Sequence, residues 1–323
     1  MKAFVRSEYG PPDVLELVEV EDPVPKNDEV LVRVRATSVG MADVDYLLGR
    51  PKTARLGTGR RRPKNTGLGL DVAGEVEAVG KDVTRFRPGD EVFGDMTEHG
   101  FGAYAEFACA PEKAFSLKPE GITFEQAATM PQAAVMALQG LRGKGGIQPG
   151  DKVLINGAGG NVGPFAVQIA KAFGAEVTGV DHTGKLEMLR SIGADDVIDY
   201  TQADYTTTGS RYDWILDIAP YHSILASRRS LRPDGVYVMV PANMTHLFRA
   251  MVVGPLLSIG SKRRMGMLMW KPFRQSDVDK LKELVDAGKV TPVIDRSYPL
   301  REVPEALRYQ AEGRPCGKIV ISV

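Results

Sequence analysis

The stretch that most constrains this 323-residue chain is a strand that runs straight into a glycine-dense turn. Lys152-Val153-Leu154-Ile155-Asn156 is an apolar run of strand length, and Gly157-Ala158-Gly159-Gly160-Asn161-Val162-Gly163 follows without a spacer. Small residues there let the backbone approach a pyrophosphate, and the helix that begins next offers free N–H groups and a partial positive charge. The spacing is Ala158-x-Gly160-x-x-Gly163, so alanine stands where the usual dinucleotide fingerprint has its first glycine. No Gly-Lys-Ser/Thr ending follows, which excludes a triphosphate-binding P-loop. The alternative is an ordinary strand-to-helix turn.

The surroundings favour the dinucleotide reading because they alternate. Val162 to Phe173 reads as helix, Glu176 to Val180 as strand and Lys185 to Ile192 as helix. Trp214 to Ile218 reads as strand, His222 to Leu231 as helix and Val236 to Val240 as strand. Such alternation implies a parallel sheet with helices on both faces. Just upstream, Phe124 to Leu141 is rich in Ala, Met and Leu and reads as one helix.

Residues 1–120 have another character. Glu29 to Ala36 alternates polar and apolar, the period of a half-buried strand. Leu70 to Val79 is a second extended run with Gly74 inside it, Pro88-Gly89-Asp90 is a turn before Glu91-Val92-Phe93, and Gly102 to Phe107 is a further strand candidate. Short strands punctuated by Gly and Pro suggest a compact barrel-like domain. After residue 267 the alternation stops: Ser276-Asp277 reads as an N-cap region for a helix Val278 to Ala287, Gly288 ends it, and Lys318 to Val323 is a last strand.

Composition narrows the function. Lys plus Arg is 41 and Asp plus Glu is 41, so no global field attracts nucleic acid or an anionic membrane. Two cysteines, Cys109 and Cys316, make neither a disulfide framework nor a four-cysteine zinc lobe. The longest charge-free stretch in the apolar region near residue 250 runs from Ala250 to Ser261, well short of the ~20 residues that span a bilayer. Charges follow Met1-Lys2-Ala3-Phe4-Val5 at once, unlike a signal peptide, and the expectation is a cytoplasmic protein.

The strand after the glycine loop ends at Val180-Asp181, where an acid reads the adenosine ribose and repels a 2′-phosphate. Asp181 therefore favours NADH slightly, while His182 and Lys185 just beyond offer cations to NADPH.

Six segments, in order and spacing, then resemble one family: Tyr9 to Leu15, Gly69 to Val76, Pro88 to Val92, Gly157 to Gly163, Leu189 to Asp195 and Gly317 to Val320. Nearly end to end, the chain resembles the medium-chain dehydrogenase/reductase superfamily, and in it the zinc-independent quinone oxidoreductase (zeta-crystallin-like) branch. The resemblance implies a GroES-like catalytic domain, 1–123 with 268–323, and an inserted Rossmann domain, 124–267. It implies an NAD(P)H cofactor with the nicotinamide in an interdomain cleft, a small-molecule substrate, and a homodimer joined at the edges of the Rossmann sheets.

Zinc-dependent members of that superfamily carry a cysteine soon after the segment matched by Ala36 to Val39, and Gly-His-Glu where this chain has Gly69-Leu70-Asp71. Here the first stretch reads Gly40-Met41-Ala42-Asp43, and four scattered histidines make no ligand set, so no metal is expected. Catalysis then falls to hydride transfer organised by binding. By alignment Tyr46 and Asp43 lie near the cleft entrance; Tyr46 can donate to an oxyanion or stack on a ring, and Asp43 can anchor a turn. Gly40 and Met41 replace Asn-Pro, and Met136 replaces Thr, leaving a less polar pocket. The cofactor set is Gly157, Ala158, Gly160, Asn161, Val162, Gly163, Asp181, His182 and Lys185, with Tyr200, Met136 and Lys318 carried over from the family.

Two features stand apart. Residues 50–64 hold seven cations (Arg50, Lys52, Arg55, Arg60, Arg61, Arg62, Lys64) and no acid, which reads as a solvated loop, a lid or a site for an acidic partner. Met244 to Trp270 is rich in Met and Leu and reads as core or dimer packing, a pocket wall or a membrane-surface helix. The functional expectation is reduction of a quinone, enone or related activated double bond. The alternatives are an alcohol or aldehyde reductase, or a cofactor-binding protein without catalysis.

Overall fold

The computed structural model describes residues 1–143, 145–240, 254–258, 260 and 262–323. They gather into two compact units: Met1–Gln132 with Pro272–Lys282 and Pro292–Val323, and Ala133–Lys271 with Glu283–Thr291. The contacts thus place 124–132 with the first unit and 283–291 with the second.

The first unit is built on a seven-stranded sheet. Its path runs Ile294–Pro299, Lys318–Ser322, Glu29–Val39, Asp71–Val79, Glu91–Asp95, Phe115–Leu117, and Phe107–Pro111 also pairs with Glu29–Val39. Glu29–Val39 can serve three partners because it is long and bent. Register shifts at Leu31/Val32 and Val34/Ala36 mark the bends, as bulges do in sheets that curl. Its alternation sends Val30, Val32 and Val34 into a core with Val72, Val76, Val92 and Phe115. A second core, with Phe4, Val44, Leu47, Leu307 and Ile319, seats the helices Met41–Leu48 and Val303–Ala311.

Two expected elements differ. Gly102 to Phe107 is not a strand: Ala105 alone bridges Ala3, and the strand is Phe107–Pro111. The reason is a turn in which Gly100, Phe101 and Gly102 all have positive φ, after which the Ala103 and Tyr104 N–H groups donate to the Gly69 and Leu68 carbonyls. Phe124 to Leu141 is two helices, Phe124–Ala128 and Ala133–Leu141, because Pro131 has no N–H and forces its predecessor out of helical geometry. Ser276 and Asp277 lie inside the helix Gln275–Asp286 rather than ahead of it, and Gly288 follows at φ 66.

The second unit holds an all-parallel six-stranded sheet in the order Asp196–Asp199, Glu176–Asp181, Lys152–Asn156, Tyr212–Asp217, Leu231–Met239, Arg264–Met267. In chain order this is 3-2-1-4-5-6, the doubly wound arrangement, with the switch point between Lys152–Asn156 and Tyr212–Asp217. Leu154, Val180, Ile215 and Tyr237 are buried in one of its cores. Of the Met-rich stretch, residues 244–253 lie outside the described residues; farther on, Arg264–Met267 forms a sheet edge. No helix among the described residues is long and apolar enough to cross a membrane.

Gly74 tests the sheet. It stands opposite Val34, and a Cβ there would sit 2.1 Å from the Arg33 carbonyl oxygen. Gly74→Val is expected to destabilise the protein by about 2–4 kcal/mol, read as a lower urea midpoint.

Candidate active site

In the second unit the glycine loop is shaped for close approach. Gly157 has φ 80, a conformation that a side chain makes costly. A Cβ on Gly163 would lie 2.1 Å from the Ala158 carbonyl oxygen, so this glycine lets the helix Gly163–Ala172 start against the loop. The first turn of that helix points unpaired N–H groups outward. The side-chain oxygen Oδ1 of Asn161, buried in this loop, has no hydrogen-bond partner among the described residues. A pyrophosphate with its ribose hydroxyls fits this set of donors and the one orphaned acceptor.

The expected adenosine residues come together at the end of Glu176–Asp181. Asp181 Oδ2 accepts from the Gly159 N–H at 2.7 Å, and Oδ1 accepts from the His182 N–H at 2.8 Å. Lys185 Nζ lies 3.8 Å from Asp181 Oδ1. The His182 and Tyr200 rings meet edge-on at 6.0 Å, with Tyr200 largely exposed. The carboxylate of Asp181 is thus turned onto the loop rather than held out to solvent. Met136 is half-buried on Ala133–Leu141.

Sequence reasoning missed a buried set at the switch point. Asn156 and Asp217 end neighbouring strands and are register partners. Asp217 is fully buried; it accepts from Asn156 Nδ2 at 2.8 Å and from the Tyr237 hydroxyl at 2.6 Å. Asn156 Nδ2 also donates to the Ala219 carbonyl at 2.7 Å, fixing the loop beside Gly157. The available signal was a polar residue closing each of two apolar strand runs.

The first unit holds Asp43, Tyr46 and Lys318, and gathers an acid cluster. Asp43, Asp71, Asp95 and Lys318 are all buried. Asp71 and Asp95 face each other directly across antiparallel strands. Asp71 Oδ2 accepts from Ser38 Oγ at 2.7 Å and from Lys318 Nζ at 3.3 Å, and Oδ1 accepts from the Gln132 N–H at 3.1 Å. Gln132 Nε2 donates to Thr97 Oγ1 at 2.9 Å, and the Thr97 hydroxyl and N–H both donate to Asp95 Oδ1. Asp43 accepts from the Gly40 N–H at 2.9 Å, capping Met41–Leu48. Asp95 Oδ2 has no hydrogen-bond partner among the described residues.

Among the described residues Lys318 pairs with Asp71 alone, so burial acts on the other two carboxyls with no ion pair to offset it. Burial, then the charge of Asp71, pushes Asp95 up to about 7. Burial likewise pushes Asp43 up to about 7, against the pull of the Gly40 N–H. Lys318, expected at the cofactor, pairs with Asp71 inside the first unit. Tyr46 is half-buried with its ring 4.7 Å from Phe101; burial, then the charges of Asp95 and Asp43, raises its hydroxyl pKa and keeps it a donor. Gly40 is half-buried and Met41 is exposed at the start of the same helix.

Among the described residues no group of three or more His, Cys, Asp or Glu could hold a zinc ion. The buried Leu70 offers no donor, and Asp71 already holds the Lys318 cation.

Two family models match: "Alcohol dehydrogenase GroES-like domain" over residues 26–120 and "Zinc-binding dehydrogenase" over residues 192–321. The 2-methylene-furan-3-one reductase of Solanum lycopersicum is 33% identical over 99% of this chain and 79% of its own length. The mitochondrial NAD(P)H oxidoreductase RTN4IP1 of Mus musculus is 34% identical over 100% of this chain and 89% of its own. The chain is a medium-chain dehydrogenase/reductase. It belongs to the quinone-oxidoreductase-like branch of that superfamily. The solved quinone oxidoreductase of Coxiella burnetii matches this reductase with a TM-score of 0.88 and 30% identity, covering 100% of this chain and 99% of that one.

The acid cluster makes the reductase's stability depend on pH. The folded-state values of Asp95 and Asp43 lie above the unfolded carboxylate range, so their stabilising contribution is complete below it and is lost as pH rises to about 7. Asp95→Asn removes one such group. The variant is expected to gain on the parent from pH 5 to pH 7 by up to ~1.4 kcal/mol per pH unit and to hold a constant advantage above. Urea unfolding across that range reads this directly.

Proposed function

We propose that this reductase transfers a hydride from NADH to a quinone or to the double bond of an enone, without a metal ion. The observation that carries the reading is Tyr46: a donor beside buried acids, in a site where the metal-ligand position is Leu70. The furanone and quinone reductases among its relatives support that substrate class.

The bound nicotinamide supplies the hydride. The glycine loop and the first turn of Gly163–Ala172 hold the pyrophosphate. Asp181 accepts from the ribose hydroxyls after releasing the Gly159 N–H it now binds. Lys185 is already close to Asp181, which leaves a 2′-phosphate facing a carboxylate rather than a ready cation and favours NADH. Negative charge develops on the acceptor oxygen during reduction, and the Tyr46 hydroxyl donates to it. Asp43 acts through the helix that carries Tyr46, by capping its first turn. Met41 leaves an apolar wall beside it. Cys109 and Cys316 form no disulfide among the described residues, which suits the reducing cytoplasm. A homodimer through the sheet edge at Arg264–Met267 completes the proposal.

The test follows NADH loss with 1,4-benzoquinone and with 4-phenyl-3-buten-2-one. Tyr46→Phe is expected to lower kcat by about 10²-fold. Asp181→Ser should raise the KM for NADH by ~10-fold or more and improve NADPH, one charge-assisted pair being exchanged for another. Dialysis against EDTA should leave the rate unchanged. A rate abolished by EDTA and restored by zinc, or no reduction of either acceptor, would reject the proposal.

A further inference from the structure

We infer that the substrate of this reductase is an anion, an enone or quinone that carries a carboxylate, sulfonate or phosphate, and that the basic segment 50–64 holds that group. The inference rests on the hydride-transfer reading above and adds the charge of the substrate to it.

The first support is position. The segment leaves the end of Met41–Leu48, the helix that carries Tyr46: the Arg50 N–H donates to the Asp45 carbonyl at 2.7 Å. Its far end returns to the turn that carries Phe101. A Cβ on Gly67 would meet Gly102 Cα at 3.1 Å, and one on Gly100 would meet Asn65 Nδ2 at 3.7 Å. Both ends of the segment therefore border the Tyr46–Phe101 pair. Phe101 itself holds φ 67 between two glycines, a conformation that a phenylalanine adopts only where the surroundings enforce it.

The second support is construction. A mobile basic loop would need no bracing, and this one is braced. Arg55 donates to the Leu48 and Gly49 carbonyls at 2.9 Å and lies over the Tyr9 ring at 4.4 Å. The Tyr9 hydroxyl reaches Thr58 Oγ1 and the Gly59 carbonyl, each at 2.9 Å. The Lys64 N–H donates to the Thr58 carbonyl at 2.8 Å and closes a turn whose tip is Arg60-Arg61-Arg62.

The third support is charge. Lys52, Arg60, Arg61, Arg62 and Lys64 are exposed and make no ion pair among the described residues. No acid occurs between Tyr46 and Leu70, so this field is uncompensated locally although the whole chain is neutral. A fork of guanidinium groups on a braced turn suits a carboxylate or phosphate. The segment has no aromatic residue from 50 to 64 on which a nucleic-acid base would stack.

The experiment compares two acceptors with one reactive group: 4-phenyl-3-buten-2-one and its ring 4-carboxylate, each with NADH. The hydride adds to the β-carbon, the electron pair passes to oxygen, and a proton completes the saturated ketone in both. At low salt the carboxylate is expected to show a kcat/KM at least ~10-fold higher, and the ratio should shrink towards one as salt rises above ~0.5 M. In the variant Arg60→Gln/Arg61→Gln/Arg62→Gln the ratio should be near one at every salt concentration, with circular dichroism reporting an intact fold. A ratio near one in the parent protein would overturn the inference while leaving the hydride-transfer reading in place. So would a variant that keeps the parent's ratio and its salt dependence. Failure to reduce either ketone or benzoquinone would reject the hydride-transfer reading itself.

Discussion

The ion pair between Lys318 and Asp71 organises the first unit. It joins residues 247 positions apart, one on the last strand and one at the start of Asp71–Val79. Both side chains are buried, so neither charge is tolerable without the other. Around this pair the structure places two more carboxyls, one directly opposite Asp71 and one capping the helix of Tyr46. Those acids remain compatible with burial because their raised affinity for protons lets them go uncharged. A polar cluster of this kind puts a fixed electrostatic environment around Tyr46.

The second unit solves a different problem with the same economy of groups. Its glycine loop brings backbone against backbone, so side chains are absent where a Cβ would collide. Asp181 is turned onto that loop, where its Oδ2 accepts the Gly159 N–H. Asn156, Asp217 and Tyr237 pin the strand ends from beneath. Buried hydrogen bonds thus hold the loop in shape.

Legibility in the sequence followed range. The glycine loop, the alternating strands and helices, and Asp181 at a strand end are local patterns, and a local pattern is visible in one dimension. The break at Pro131 was visible too, yet the apolar run around it read as one helix. The turn at Gly100-Phe101-Gly102 was harder, because alternation in the residues that follow mimics a strand while their N–H groups bond elsewhere. The burial of Lys318 beside Asp71 was the least legible, because only the sheet shows which carboxylate stands next to that lysine.

By itself the sequence determined the class of fold, the glycine loop between a strand and a helix and the absence of a recognisable zinc-ligand pattern, because each depends on residue type at short spacing. Only the tertiary structure decided that Asp71 and Asp95 face each other, that Lys318 neutralises one of them, and that the basic segment borders Tyr46 and Phe101. Those are pairings between strands and turns far apart in the chain. Their energies depend on distance and burial, and neither quantity exists until the sheet has closed.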